Sequence, residues 1–200
     1  ERIPAYATRV VQDEKTGIFS AQVWRPAHPY QFRIANFKPS TKPLFIYECH
    51  IGMAQEAESV GTYNEFRTTV LPRIVADGYN AIQIMAIQEH PYYGSFGYHV
   101  SSFFAASSRF GTPDDLKQLI DEAHAQGIAV IMDIVHSHAV KNEVEGLGRF
   151  DGSTDLYFHG NDRREHPAWT MARTPCSTFS SPTASSGLRN ITSTASASTA

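Results

Sequence analysis

Cysteine is almost absent from this chain, which has Cys49 and Cys176 and no other among its 200 residues. Two cysteines so far apart form neither a disulfide framework nor the paired CxxC pattern of a zinc site. The remaining composition is 42% hydrophobic and 12% aromatic. At this length such a composition is sufficient for one sizeable hydrophobic core.

An excess of charge and a long apolar run are also missing. Lys and Arg number 17 against 20 Asp and Glu, which gives a formal net charge of −3. Because basic residues are not in excess, we expect no nucleic-acid partner. Nothing resembles a signal peptide or a membrane-spanning run, so we expect a soluble, cytoplasmic protein with no membrane partner. The chain starts at Glu1 rather than Met, so we expect its true N-terminus to be missing.

Three apolar runs that end in polar residues are predicted as strands: 44–50, 80–87 and 128–138. Between them, apolar spacing predicts a helix over 63–76, which Pro72 should kink or divide. A second helix over 112–127 begins with Thr112 as its N-cap. This order is typical of parallel βαβ units, which begin a doubly wound sheet and a (β/α)₈ barrel alike.

Nucleotide-binding signatures are missing as well. No GxGxxG and no P-loop sequence follows any of the three predicted strands. This absence removes the usual nucleotide-binding α/β proteins from consideration. We therefore expect no cofactor.

The segments on either side of this α/β region have different patterns. Residues 1–37 contain short alternating stretches typical of the last strands of a small β unit. Residues 36–43, with two prolines, are predicted as a linker. Residues 170–200 are dominated by Ser, Thr and Ala, without an apolar period, and are predicted to be disordered. The predicted division is therefore 1–37, 38–169 and 170–200.

The third predicted strand carries the ionisable residues Asp133, His136 and His138 at its C-terminal end. A buried parallel strand that ends in such groups suits a site at the mouth of an α/β barrel or open sheet. The alternative is a core strand whose polar residues satisfy nearby backbone groups. His136 and His138 form an HxH pair that could offer two nitrogens to one metal ion. No spacing signature of a known zinc site accompanies the pair, so a metal site is the less favoured interpretation.

An aromatic-rich stretch, predicted as a loop over 89–111, favours carbohydrate instead. Sugar rings present apolar faces that stack on aromatic side chains, while their hydroxyls need carboxylates and imidazoles as partners. Candidate stacking residues are Tyr92, Tyr93, Phe96 and Tyr98. The alternative is that these rings only pack the loop onto the sheet. We expect Phe103 and Phe104 to have this packing role, and we expect Tyr98 to belong to the sugar site.

Four segments carry a resemblance to a known family: 47–52 (YECHIG), 89–98 (EHPYYGSFGY), 103–113 (FFAASSRFGTP) and 133–138 (DIVHSH). They resemble eukaryotic glucan branching enzymes, which are members of the α-amylase family (glycoside hydrolase family 13). The resemblance covers about residues 1–169. The last segment matches the first signature region of the α-amylase family.

The resemblance implies an incomplete (β/α)₈ TIM barrel of about three βα units, preceded by the end of a family-48 carbohydrate-binding β-sandwich in residues 1–37. It also implies an enzyme that cuts an α-1,4-glucan and re-attaches the released chain through an α-1,6 bond. Retaining chemistry of this kind uses two carboxylates. The family's nucleophile Asp, acid/base Glu and third Asp belong to later strands, and no residue of this chain corresponds to them.

By the same resemblance, three residues would bind and position an α-glucan. Tyr98 would stack under the sugar at the cleavage site, His138 would hydrogen-bond its hydroxyls, and Asp133 would hold the geometry of the site. Ser137 stands where calcium-binding amylases usually carry Asn, so no metal is expected. His99 stands where the family commonly has Gln, which puts a sugar contact at that position in doubt.

The tail resembles nothing in the family as written. Back-translated and read one base out of register, residues 171–200 can encode the helix and strand that follow in branching enzymes. We therefore expect the tail to be an out-of-frame translation. Two alternatives to a truncated branching enzyme stay open, namely a non-catalytic glucan-binding protein and another glycosidase of the α-amylase family.

Overall fold

The computed structural model describes residues 2–154, 156–158 and the backbone of 196–199. In chain order the elements are β1 (Val10–Gln12), β2 (Phe19–Ala21), β3 (Ile46–Cys49), α1 (Tyr63–Glu65), α2 (Leu71–Ala76), β4 (Ala81–Ile84), β5 (Gln88–Glu89), β6 (Ser102–Ala106), α3 (Pro113–Ala125), β7 (Ala129–Ile134) and β8 (Ser196–Thr199). Short 3-10 turns lie at Ile51–Met53, Tyr93–Ser95 and Ser108–Phe110. The predicted disorder of 170–200 lies outside the described residues, apart from the backbone of β8.

The three predicted strands form one parallel sheet. β4 lies between β3 and β7, with Ile46 opposite Ala81 and Ala81 opposite Ala129. β8 pairs in parallel with the other side of β7. Helices follow β3 and precede β7, so the crossovers are those of βαβ units. The sheet is therefore the start of an α/β barrel or open sheet, as the sequence predicted.

Alternation along the strands gives the sheet two different faces. Ile82 and Val130 point outward into the main core, where the helices pack. Ile131 belongs to a small cluster on the opposite, inner face, which Phe37 covers. Asp133 continues the inner series two residues further along β7. Its carboxylate therefore stands on the inner face at the C-terminal end of the strand.

Pro72 changes the first helix as the sequence predicted, although without a sharp break. A π-helical segment, Phe66–Val70, joins α1 to α2. Proline has no N–H to donate to the preceding turn, so the ordinary i→i−4 ladder cannot continue through it. The N–H of Leu71 donates instead to the carbonyl of Phe66, five residues earlier. The wider turn accommodates the proline within a continuous helix.

Helix α3 begins with a capping box, which confirms Thr112 as the predicted N-cap. The Thr112 hydroxyl accepts from the Asp115 backbone N–H at 3.2 Å, and the Asp115 carboxylate accepts from the Thr112 N–H at 2.8 Å. These bonds satisfy two of the backbone donors that a helix start leaves free. The cap fixes where the crossover into β7 begins.

The 89–111 segment is not a loop throughout, and the prediction was wrong on this point. β5 and β6 form an antiparallel hairpin. Phe103 and Phe104 are buried, which confirms their predicted packing role. The Gln88 amide donates to the Phe103 carbonyl at 2.9 Å and accepts from the Val135 N–H at 2.9 Å. Gln88 thereby ties the hairpin to the end of β7.

β1 and β2 form a separate antiparallel pair, with Val10 opposite Ala21. Val10 and Phe19 are buried against Ala105 of β6. The pair therefore packs on the back of the hairpin.

No helix within the described parts of the chain has the length and apolar character needed to cross a membrane.

Candidate functional site

Tyr98 and Asp133 meet at the C-terminal end of the sheet. The Tyr98 hydroxyl donates to Asp133 Oδ2 at 2.7 Å, across 35 residues of sequence. Asp133 is buried, with 8% of its surface exposed, and Tyr98 is half-buried. Burial raises the pKa of Tyr98 to about 12, and its hydrogen bond to Asp133 and the negative charge of that carboxylate act in the same direction. Tyr98 therefore stays protonated and keeps donating across the physiological range.

His138 joins the same pair from the segment after β7. Its Nε2 lies 2.9 Å from the carbonyl oxygen of Tyr98, and its Nδ1 lies 2.9 Å from the Ser137 hydroxyl. Because a carbonyl oxygen only accepts, Nε2 carries the proton in this bond. The structure thus brings together all three residues that the sequence singled out, Tyr98, Asp133 and His138.

Gly97 sets the position of Tyr98, and the sequence analysis did not identify this role. Its φ is +92°, and a Cβ built on it would lie 1.7 Å from the carbonyl oxygen of Ala86. Only glycine allows the chain to pass so close to the end of β4. The signal available in the sequence was the Gly-Tyr pair itself, which alone does not reveal a close backbone approach.

The four candidate stacking residues divide into different environments. Tyr93 packs inward, where its hydroxyl donates to the Gly52 carbonyl at 3.2 Å and Arg109 lies over its ring at 5.6 Å. Tyr92 and Phe96 are exposed. The packing alternative therefore applies to Tyr93, while Tyr92, Phe96 and Tyr98 face open or half-open surroundings.

His50 lies at the end of β3 inside an aromatic enclosure. Its ring centroid is 5.9 Å from that of Tyr93, 5.7 Å from Phe96 and 5.6 Å from Phe110. Both ring nitrogens are buried without a hydrogen-bond partner among the described residues. Burial lowers the pKa of His50, so the imidazole is neutral near pH 7.

Glu89 and His90, at the end of β5, are buried groups that organise the hairpin. Glu89 accepts from the backbone N–H of Ser108 at 2.8 Å, and burial raises the pKa of this carboxyl group. His90 Nδ1 lies 2.8 Å from the Gln88 carbonyl, and Arg109 approaches Nε2 at 3.3 Å. Burial lowers the pKa of His90 to about 4. Both side chains serve local structure in this geometry.

The HxH pair gains no third metal ligand from the residues that the structure describes. Within residues 2–154 and 156–158, no three side chains of the His, Cys, Asp or Glu type form a group that could hold a metal ion. His138 is engaged with Tyr98 and Ser137. Burial lowers the pKa of His136. The arrangement offers hydrogen bonds and aromatic surfaces, which suit a neutral polyhydroxylated ligand.

Comparison with protein families gives one match for this region. The family described as alpha amylase, catalytic domain, matches residues 71–184. The match begins at α2 and includes β4, the hairpin, α3 and β7. All three clustered residues, Tyr98, Asp133 and His138, lie inside it.

Curated relatives of high similarity carry one common name. The 1,4-alpha-glucan-branching enzymes of Yarrowia lipolytica and Saccharomyces cerevisiae are 52% and 50% identical to this chain. The corresponding enzyme of Dictyostelium discoideum is 48% identical. Each comparison covers 84% of this chain and 25% of the relative. The chain therefore spans about a quarter of the length of the relatives it matches.

Solved structures show the same fold at low sequence identity. A protein assigned as an alpha amylase from Salmonella typhimurium superposes with a TM-score of 0.73 at 22% identity. That superposition covers 93% of this chain and 30% of the other. An alpha-amylase from Geobacillus thermoleovorans gives a TM-score of 0.55 at 22% identity, over 68% of this chain and 35% of the other. The sheet and its helices are thus part of an α-amylase-type barrel.

Proposed function

The chain belongs to the α-amylase family, and from that premise we propose that it is the N-terminal part of a 1,4-α-glucan-branching enzyme. The observation that carries the proposal is the identity of about 50% with branching enzymes of fungi and Dictyostelium over 84% of the chain. The reaction cleaves an α-1,4 bond of a glucan and re-attaches the released chain through an α-1,6 bond. The catalytic carboxylates of the family would come from later strands of the barrel.

The proposed substrate is an α-glucan, bound over the C-terminal ends of β4 and β7. Tyr98 would stack against one glucose ring, while the hydrogen bond of its hydroxyl to Asp133 fixes the orientation of the aromatic ring. His138 would keep Nε2 on the Tyr98 carbonyl and would bond a sugar hydroxyl through Nδ1, in exchange for its bond to the Ser137 hydroxyl. Asp133 is a positioning residue, because its carboxylate is occupied by the Tyr98 hydroxyl. None of these roles needs a metal ion or an organic cofactor.

The finer architecture is part of the same proposal. β3, β4 and β7 would be the first three strands of the eight-stranded barrel, and the β1–β2 pair would be the end of a family-48 β-sandwich. The domain limits would be 1–37, 38–169 and 170–200, with a cytoplasmic location. The antiparallel pairing of β1 with β2, and the parallel order β3-β4-β7, support this assignment.

For the tail we propose an out-of-frame translation after Trp169. The comparison with the Yarrowia lipolytica enzyme covers 84% of the chain, and the Ser-, Thr- and Ala-rich composition begins at Thr170. The family match itself extends to residue 184. Genomic sequencing tests the idea directly. The proposal is supported if one reading frame of the genomic DNA after Trp169 encodes the helix and strand of the relatives. It is refuted if no frame encodes them.

A transplant tests the proposed activity. Residues 2–158 would replace the matching segment of the Yarrowia lipolytica enzyme, and formation of α-1,6 branch points in amylose would be measured. We expect the chimera to branch amylose, and the same chimera with Tyr98→Ala to lose most of that activity. A soluble, folded chimera that binds amylose without forming branches would contradict the proposal and favour a non-catalytic glucan-binding protein. Release of free oligosaccharides without branching would instead indicate a glycosidase.

A further inference from the structure

Gln88 is a buried polar side chain between the hairpin and the end of the parallel sheet. Its surface is 1% exposed. Its Nε2 donates to the Phe103 carbonyl and its Oε1 accepts from the Val135 N–H, each at 2.9 Å. Because a carbonyl only accepts and a backbone N–H only donates, these two partners fix which end of the amide faces which strand. The position therefore needs a side chain that is both a donor and an acceptor.

The bond to Val135 is made at the point where the chain leaves β7. The register between β4 and β7 ends at the pair Ile84 and Met132, three residues before Val135. Within the described strands, β4 offers no ladder partner beyond this pair, and the Gln88 amide supplies the acceptor instead. Val135 is buried, so an unbonded N–H at this position would be costly. Gln88 thereby sets the direction in which the chain leaves the strand.

His138 follows three residues later, on the segment that this bond directs. Its Nε2 lies 2.9 Å from the carbonyl oxygen of Tyr98. Two residues further along, the Val140 N–H donates to the Val100 carbonyl at 3.0 Å. Bonds at Val135, His138 and Val140 thus hold the segment along its length. The bond at Val135 sets where the segment starts, and a shift there moves the imidazole of His138.

Apolar packing holds the same segment to the hairpin without fixing its exact position. Val135 and Ala139 are buried in one cluster with Phe103 and Phe104. Apolar contacts are non-directional, so they keep the segment on the hairpin but select no single placement of its backbone. The directional bonds of the Gln88 amide make that selection.

We propose that Gln88 is a positioning residue of the α-glucan site: its amide places the exit of the chain from β7, and with it the imidazole of His138. Gln88 itself does not touch the sugar, because its side chain is buried and both ends of its amide are bonded within the protein. This inference rests on the proposed function, in which His138 bonds a sugar hydroxyl. It adds a residue of the hairpin to those that set the affinity for the glucan.

Calorimetric titration of the 200-residue chain with maltoheptaose tests this role. Gln88→Met is similar in length and volume but removes both bonds, and should raise the Kd by about three- to tenfold. Gln88→Glu keeps an acceptor for the Val135 N–H in either protonation state, and should raise the Kd by less than about twofold. Gln118→Met makes the same exchange at a half-buried residue of α3 and should leave the Kd unchanged.

A double-mutant cycle with His138→Ala separates positioning from a local structural role. If Gln88 acts by placing the imidazole, Gln88→Met should raise the Kd by less than about twofold once that imidazole is absent. An equal effect of Gln88→Met with and without His138 would show that the two residues act independently, and would refute the proposal.

The Yarrowia chimera gives a readout that a loss of folded protein cannot imitate. A displaced His138 weakens the binding of the glucan, so Gln88→Met should raise the KM for amylose by about threefold or more, with kcat little changed. A variant that only destabilises the fold lowers the amount of active enzyme, and therefore lowers the apparent kcat at an unchanged KM. That second result would refute the positioning role.

The positioning role and the proposed function fail in different ways. If maltoheptaose binds and Tyr98→Ala weakens its binding, while Gln88→Met binds it as tightly as the parent, the positioning role is refuted and the proposed function stands. If neither the unmodified chain nor the chimera binds a glucan, both are contradicted.

Discussion

The hydroxyl of Tyr98 is committed to Asp133, and its carbonyl oxygen is committed to His138. Two residues that lie 35 and 40 positions further along the chain therefore hold Tyr98, one through its side chain and the other through its backbone. The sequence identified these three through a family resemblance and through their positions at strand ends. It could not show that Asp133 acts on Tyr98 rather than on a ligand, because that depends on where the 92–98 loop crosses the sheet.

The ring and the hydroxyl of Tyr98 can be tested separately. Tyr98→Phe removes the bond to Asp133 but keeps the aromatic face, so we expect the affinity for maltoheptaose to fall by less than about threefold. Tyr98→Ala removes the stacking surface and should weaken binding by about tenfold. Calorimetric titration of both variants makes the comparison. If Phe were as damaging as Ala, the hydroxyl and its bond to Asp133 would carry most of the contribution of Tyr98, and the stacking role of the ring would be wrong.

At the scale of elements, the predictable features were those with local causes. Thr112 caps α3 because its hydroxyl and the Asp115 carboxylate lie three residues apart, and Pro72 alters its helix because it lacks an N–H. The β5–β6 hairpin was missed because a 12-residue connection separates its two strands. It also depends on Gln88, whose side chain bonds to the backbone of Phe103 and of Val135. Sequence pattern alone does not indicate such long-range bonds.

The loop that carries Tyr98 should depend on Gly97. Gly97→Ala would place a methyl group 1.7 Å from the Ala86 carbonyl oxygen, so the backbone must move, and we expect a loss of at least about 3 kcal/mol in unfolding free energy. Gly78→Ala is the matched control, because Gly78 has a similar φ of +82° and no atom near its added Cβ. It should cost only about 1–2 kcal/mol. Urea unfolding of both variants measures the difference, and equal losses would contradict the close approach at Gly97.

The N-terminal segment should be held to α3 in a pH-dependent manner. Asp121 accepts from the Tyr30 hydroxyl at 2.7 Å and from the backbone N–H groups of Arg33 and Ile34 at 3.1 Å and 3.0 Å. Burial alone would raise the pKa of Asp121, but these donors and the Arg33 guanidinium lower it to about 2. A lowered pKa means that this stabilisation is complete above about pH 4 and is lost as pH falls toward 2.

Asp121→Asn should therefore destabilise the chain most at neutral pH, by roughly 2–3 kcal/mol, since bonds to a charged acceptor are replaced by bonds to a neutral one. As pH approaches 2 the variant and the parent should converge. Urea unfolding at a series of pH values from 7 to 2 measures this. Tyr30→Phe, which removes a single donor, should show a smaller loss in the same direction. A difference between parent and Asn variant that is constant over the whole pH range would refute the assignment.

At the scale of the whole molecule, the parallel sheet has an unpaired edge within the described part of the chain. Among the strands that the structure describes, β3 has no neighbour on its outer side, and Phe45 and Ile46 are exposed there. Edge strands with exposed apolar residues promote association between chains. The chain spans about a quarter of the length of its relatives. In a complete barrel, further strands would pair with β3 and cover these apolar residues.

Self-association of the chain should depend on this edge. Ile46→Lys places a charge on β3 and should lower the weight-average mass measured by sedimentation equilibrium at high protein concentration. Val144→Lys adds the same charge at a residue that is 67% exposed and lies outside any strand, and should have little effect. Equal effects of the two variants would mean that net charge, rather than the open edge, controls association.

The central claim is that the ends of β4 and β7 form an α-glucan site around Tyr98, Asp133 and His138. Hydrogen–deuterium exchange of the chain, with and without saturating maltoheptaose, tests it most directly. We expect slower exchange in residues 92–100 and 133–138, and no change in residues 10–21 of the β1–β2 pair. Unchanged exchange at both expected segments, or slowing confined to the β1–β2 pair, would contradict the claim.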